Sequence, residues 1–139
     1  MILMPTLMST VAFASDGERL FNESCALCHQ HGGAGSLGLA PPLVDKNLWD
    51  KLGASASLYI AGVMLAGLSG PIEVAGQQYS GLVMPPQDRM TDDELAAIGT
   101  YILSKLNNSD GKLTAPLLSG VRASPPTHAR LREMRRTGQ

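Results

Sequence analysis

Apolar residues recur with a helical period along much of this chain. The clearest stripe is Leu95, Ile98, Gly99, Ile102 and Leu106, which predicts a helix through about residue 106. Its start is written in Thr91-Asp92-Asp93-Glu94: Thr91 caps, Glu94 returns to the capping amide, and Met90 and Leu95 form a hydrophobic staple. Glycine in a helix interior costs about 1 kcal/mol against alanine, so Gly99 marks a tight crossing. The expected partner is the Gly17/Phe21 face of an earlier helix. That helix is predicted to open at Ser15-Asp16-Gly17-Glu18, a second capping box, and to run through Arg19, Leu20, Phe21 and Ser24. Residues 55–66 (SASLYIAGVMLA) predict a shorter helix with Leu58, Ala61, Gly62 and Leu65 on one face. Gly67 suits its end, and Gly70-Pro71 forbids continuation.

Between these helices the pattern breaks into loops. Residues 32–43 are a glycine-rich run ending in Pro41-Pro42-Leu43; no Gly-Lys-Ser/Thr follows and no strand precedes it, so it is not a phosphate loop. Residues 71–83 read as a turn-rich connector leading to Met84-Pro85-Pro86, and 107–113 as a polar loop. A short helix fits Thr114 to Ala123, in an extension spanning 108–123. Beyond Pro125-Pro126, residues 124–139 are rich in Arg and lack a full apolar face, which predicts a disordered basic tail. Residues 1–14 are apolar, uncharged and end in Ala12-Phe13-Ala14, the pattern of a secretory signal with Ser15 as first mature residue. Fourteen residues are too few for a membrane span, which needs about 20, and no other stretch is apolar enough to cross.

A chain of 139 residues is long enough for one core, yet only 4% are aromatic. A large flat apolar cofactor would supply the surface that aromatic side chains otherwise provide. Charge is uneven. Residues 1–121 hold six Lys/Arg against eleven Asp/Glu, whereas 122–139 hold five Arg against Glu133 alone. The acidic body argues against nucleic acid as a partner. The five arginines 122, 130, 132, 135 and 136 read as a solvated end or as a docking patch for an acidic partner or anionic membrane.

The chemistry is concentrated in Cys25-Ala26-Leu27-Cys28-His29, which contains the chain's only two cysteines. In a C-x-x-C-H stretch the two thiols add to the vinyl groups of a haem, and the adjoining histidine reaches the iron. A redox dithiol would want a βαβ setting, and a closed zinc site a second pair of ligands. Neither is present. One histidine can leave the sixth iron position open, for ligand binding or peroxide chemistry, or a second ligand can close it, for electron transfer. The candidates are Met64, Met84, Met90, Met134, His31 and His128. Met64 lies within a predicted helix, Met90 is used by the staple, and Met134 and His128 sit in the tail. His31 is too close to His29 to reach the opposite face of the ring. Met84 remains, on a loop stiffened by two prolines.

Taken together, these residues resemble the class I c-type cytochromes, particularly small bacterial monohaem ones. The resemblance rests on Gly17 and Phe21, Cys25-x-x-Cys28-His29, Pro41-Pro42-Leu43, Gly81-x-x-Met84-Pro85 and the helix bearing Tyr101, covering about residues 15–107. It implies an all-α, small cytochrome c fold of three to five short helices wrapped around one covalently bound haem c. It implies that His29 and Met84 are the iron ligands, that the Pro41 carbonyl accepts from the proximal imidazole, and that Phe21 packs near Tyr101. Trp49 and Tyr79 read either as hydrogen-bond partners of haem propionates or as packing residues. The connector 70–83 looks like that of cytochrome subunits attached to periplasmic dehydrogenases.

The function expected is single-electron transfer in the periplasm, between a dehydrogenase donor and an oxidase or reductase acceptor, with no residue assigned to catalysis. A saturated iron need not change coordination on reduction, and a soft thioether favours the ferrous state and raises the potential. The alternatives are a tightly held dehydrogenase subunit, a haem enzyme or sensor with a displaceable sixth ligand, and a haem-free thiol or metal protein.

Overall fold

The computed structural model describes residues 12–139, with side chains from residue 16 onward. The expected signal stretch therefore falls almost wholly outside the described residues. Seven helices follow in order: α1 (Ala12–Ser24), α2 (Ala26–His29), α3 (Lys46–Leu52), α4 (Ala56–Ala66), α5 (Asp92–Tyr101), α6 (Ala115–Ala123) and α7 (His128–Thr137). Four short strands lie between α4 and α5: β1 (Leu68–Ser69), β2 (Ile72–Val74), β3 (Gln77–Tyr79) and β4 (Val83–Met84). They form two antiparallel ladders, β1 with β4 and β2 with β3. The described residues are thus mostly helical, with α2 to α5 inside the expected core of residues 15–107 and α1 entering it from Ala12.

The organising contact is the crossing of α1 and α5. A Cβ on Gly17 would lie 2.5 Å from the Ala97 carbonyl oxygen and 2.9 Å from Tyr101 Cβ, so only glycine admits this approach. One turn on, Phe21 is fully buried against Tyr101. The Thr91 capping box is complete: the Thr91 hydroxyl accepts from the Glu94 amide at 3.2 Å, and the Glu94 carboxylate accepts from the Thr91 amide at 2.8 Å. That carboxyl is held below its usual range by those bonds from Thr91. The helix then loosens into a wider π turn over Ile102–Leu106.

α4 lies at the centre. Ala56, Tyr59, Ile60, Ala61, Gly62, Met64 and Leu65 are all buried, so it has almost no solvent face. Its predicted apolar face needs one correction, since Leu58 is exposed. α3 went unanticipated; Asp45 caps it by accepting from the Leu48 amide at 3.1 Å.

Three further expectations change. α1 starts at Ala12, so Ser15 lies inside the helix rather than capping it. The crossing marked by Gly99 is not with α1, because a Cβ there would strike the side chain of Leu113 in the loop after α5. The largest correction concerns residues 124–139. They are not a disordered tail: Thr127 accepts from the Arg130 amide at 3.1 Å to cap α7, whose Leu131 and Met134 are buried in the common core. Its arginines are also less free than the charge pattern implied. Arg122 on α6 pairs with Asp92 at 2.9 Å and donates to the carbonyls of Asp88 and Met90, while Arg132 and Arg135 turn inward.

Candidate functional site

The Cys-Ala-Leu-Cys-His stretch is a second helix set on the end of the first. The Cys25 amide donates to the Phe21 carbonyl at 2.8 Å, and the His29 amide to the Cys25 carbonyl at 2.9 Å. One turn therefore carries both thiols and the imidazole, and all three line the same cavity. The two sulfurs are not joined in a disulfide. Burial, with Cys28 adding to it, pushes the Cys25 thiol up to about 11, the reverse of the acidic thiol that a redox C-x-x-C motif requires.

His29 is held from behind. Its Nδ1 donates to the Pro41 carbonyl at 3.0 Å, which leaves the lone pair on Nε2. Nε2 has no hydrogen-bond partner among the described residues. Burial lowers the His29 pKa, opposed by the bond to Pro41, so the ring is kept neutral, as a metal ligand must be. The glycine-rich run delivers Pro41. Gly35 sits at φ +70 with its α-carbon against the Pro41-Pro42 backbone, and its amide donates to the His29 carbonyl at 2.7 Å. A side chain there would collide with the prolines.

A second wall carries sulfur. Met84 pairs with Leu68 in the β1–β4 ladder, and the Gln87 amide donates to the Met64 carbonyl at 2.7 Å. A Cβ on Gly67 would overlap the Met84 carbonyl, so this strand lies hard against the end of α4. Met64, Met84 and Met90 all line the cavity. The remaining candidates do not. Met134 is buried elsewhere in the core, His31 is exposed and bonded to Asn22, and both ring nitrogens of His128 are engaged.

The rest of the lining is largely apolar, including Leu48, Ile60, Leu95, Ile98 and Ile102. Trp49 is excluded as a propionate donor, because its single N–H donates to the Leu43 carbonyl at 3.0 Å. Tyr79 lines the cavity. Sequence reasoning missed Arg135, the only Lys or Arg among the described residues of the wall. It donates to Tyr59 Oη at 3.2 Å and to the Glu73 carbonyl at 3.1 Å, with Asp45 at 3.8 Å. The available signal was the Thr127 cap with Leu131 and Met134 three residues apart.

An apolar cleft with two thiols, a neutral imidazole offering one lone pair, and thioethers on another wall fits a large flat metal-bearing group joined covalently to the chain. The arrangement defines a haem-binding class of protein. The cytochrome c family model matches residues 14–105, and the chain belongs to that family. The family binds covalently attached haem c with its iron and carries electrons. Among curated relatives, a cytochrome c-552 of Thermus thermophilus is 36% identical over 97 residues, 69% of this chain and 64% of the relative. The cytochrome subunit of a fructose dehydrogenase from Gluconobacter japonicus is 32% identical over 119 residues, 83% of this chain but 24% of that protein. The chain thus spans just under two thirds of the length of the first and about a quarter of the second.

Proposed function

We propose that this chain is an exported monohaem cytochrome that relays single electrons between a dehydrogenase and a downstream acceptor. Cys25 and Cys28 would hold the haem by thioethers, and His29 and Met84 would supply the nitrogen and sulfur ligands of its iron. Bound in this cleft, the haem iron supplies the one-electron couple. The chain supplies rigidity. Pro41 fixes the imidazole through the Nδ1 bond at 3.0 Å, and Pro85-Pro86 stiffens the backbone behind Met84. The apolar wall excludes water and disfavours the more highly charged oxidised centre.

The observation carrying this reading is the His29–Pro41 bond, which occupies Nδ1 and leaves Nε2 as the open nitrogen of a ring lining the same cavity as both thiols. Met84 is favoured over Met64 and Met90 because it alone lies on strand backbone outside the helices and their caps. Export is supported by the Ala12-Phe13-Ala14 site; cleavage there would leave Ser15 to open α1. The test is an optical and redox titration of the purified protein. An iron–sulfur charge-transfer band in the oxidised form, with slow CO uptake by the reduced form, is expected. Rapid CO binding at neutral pH would instead establish an open sixth site.

A second reading, a tightly held subunit of a dehydrogenase, is favoured by the 32% identity to a dehydrogenase cytochrome subunit across 83% of this chain. Size-exclusion mass of the native protein separates the two, since a stable heterocomplex would rule out a free carrier.

A further inference from the structure

We propose that α7 is a strap for the sixth-ligand side of the haem cleft: His128 and Arg132 clamp β1, the strand on which Met84 is laid. This rests on Met84 being the iron ligand. The β1–β4 ladder has only two residue pairs, Leu68 with Met84 and Ser69 with Val83, too short to be stable by itself. Downstream, the Gln87–Met64 bond secures the chain after Met84. Upstream, the position of Met84 depends on whatever holds β1, and α7 does so.

Three bonds make the clamp. His128 Nε2 donates to the Ala66 carbonyl at 2.8 Å, and its Nδ1 accepts from the Ser69 hydroxyl at 2.7 Å. Arg132 donates from Nη1 to the Ser69 carbonyl. The guanidinium also sits close against the next residue, where a Cβ on Gly70 would come within 2.7 Å of Arg132 Nη1. α7 is itself anchored by fully buried Leu131 and by Met134, so the clamp is fixed to the core. The matched cytochrome c region ends at residue 105. α7 therefore lies outside the family domain, yet it braces the strand that presents the thioether. Arg132 and His128 are positioning residues here; neither lines the cleft.

The test uses the full-length oxidised holoprotein and two readouts, the iron–sulfur charge-transfer band and the rate at which added imidazole binds the iron. Losing one hydrogen bond from a charged donor, together with the two made by the His128 ring, should loosen Met84 enough to speed imidazole binding roughly tenfold or more. Arg132→Ala with His128→Ala is expected to do this and to weaken the band, with covalent haem content unchanged. Arg132→Lys should recover part of the effect. Wild-type band and rate in the double variant would overturn the strap. Should that variant yield no holoprotein, Ser69→Ala, which removes only the hydroxyl facing His128, takes its place. About a threefold faster rate is then expected, and an unchanged rate overturns the proposal. Met84→Ala in the same assay separates the two readings. If it changes both readouts while the clamp variants do not, the strap alone fails; if it changes neither, the ligand reading fails and the strap with it.

Discussion

Phe21 and Tyr101 meet with ring centroids 5.5 Å apart and planes 48° from parallel, and they meet because residue 17 has no side chain. The contact belongs to the crossing of α1 and α5, so the helix leading into the cysteines is positioned by the helix that follows the methionine strand. Two segments far apart in the chain thus meet beside the turn that carries the cysteines.

Gly17→Ala should therefore lower stability by about 1–3 kcal/mol, the usual cost of forcing a methyl into a packed contact. The obstruction is backbone, the Ala97 carbonyl, which cannot rotate aside. Thermal unfolding of the holoprotein checks this. A melting temperature equal to wild type would mean that the helices separate without cost.

The Thr91 capping box gives a pH signature. Glu94 accepts from the Thr91 amide and hydroxyl, which holds its carboxyl below the ordinary range. A carboxyl depressed in the folded state stabilises above its unfolded pKa and loses that contribution as pH falls through the folded value. Glu94→Gln should lower the melting temperature at neutral pH and flatten the acid limb, with the two proteins converging at low pH where the wild-type carboxyl is protonated. An identical acid limb in the variant would remove Glu94 from the account.

What the sequence disclosed and what it hid divide along a physical line. The cysteine–histidine turn, the Thr91 cap, α4 with its Gly67 stop, and the prolines around Met84 are local devices, each contained within about a turn or two of chain, and they were readable. Gly99 showed that something approaches closely without showing what, and the neighbour is Leu113 rather than α1. Trp49 has one donor, and only the fold reveals that Leu43 has taken it. α7 was hidden because its apolar stripe is just Leu131 and Met134 amid arginines. What stabilises it are partners remote in sequence: Asp45, Tyr59 and Glu73 for Arg135, Ser69 for Arg132.

That makes Leu131 a direct probe of the corrected C-terminus. It is fully buried, so Leu131→Ala should cost about 2–5 kcal/mol and render residues 124–139 sensitive to brief trypsin treatment. In the wild type the arginines of α7 should resist cleavage under the same conditions. Equal cleavage of both proteins would restore the picture of a solvated end.

Met84→Ala is the sharpest test of the site itself. Removing the thioether should abolish the charge-transfer band, lower the reduction potential and admit CO to the reduced iron, because a soft sixth ligand that favours the ferrous state is gone. Met64→Leu and Met90→Leu serve as the comparison, for both line the cleft but are accounted for by the packing of α4 and by the start of α5. Each should keep the band and shift stability by less than about 1.5 kcal/mol, as volume-conserving changes do. Loss of the band in Met64→Leu or Met90→Leu, with Met84→Ala retaining it, would move the sixth ligand to that residue. The electron-transfer reading would survive, but the strand pairing of Leu68 with Met84 would then have only a packing role.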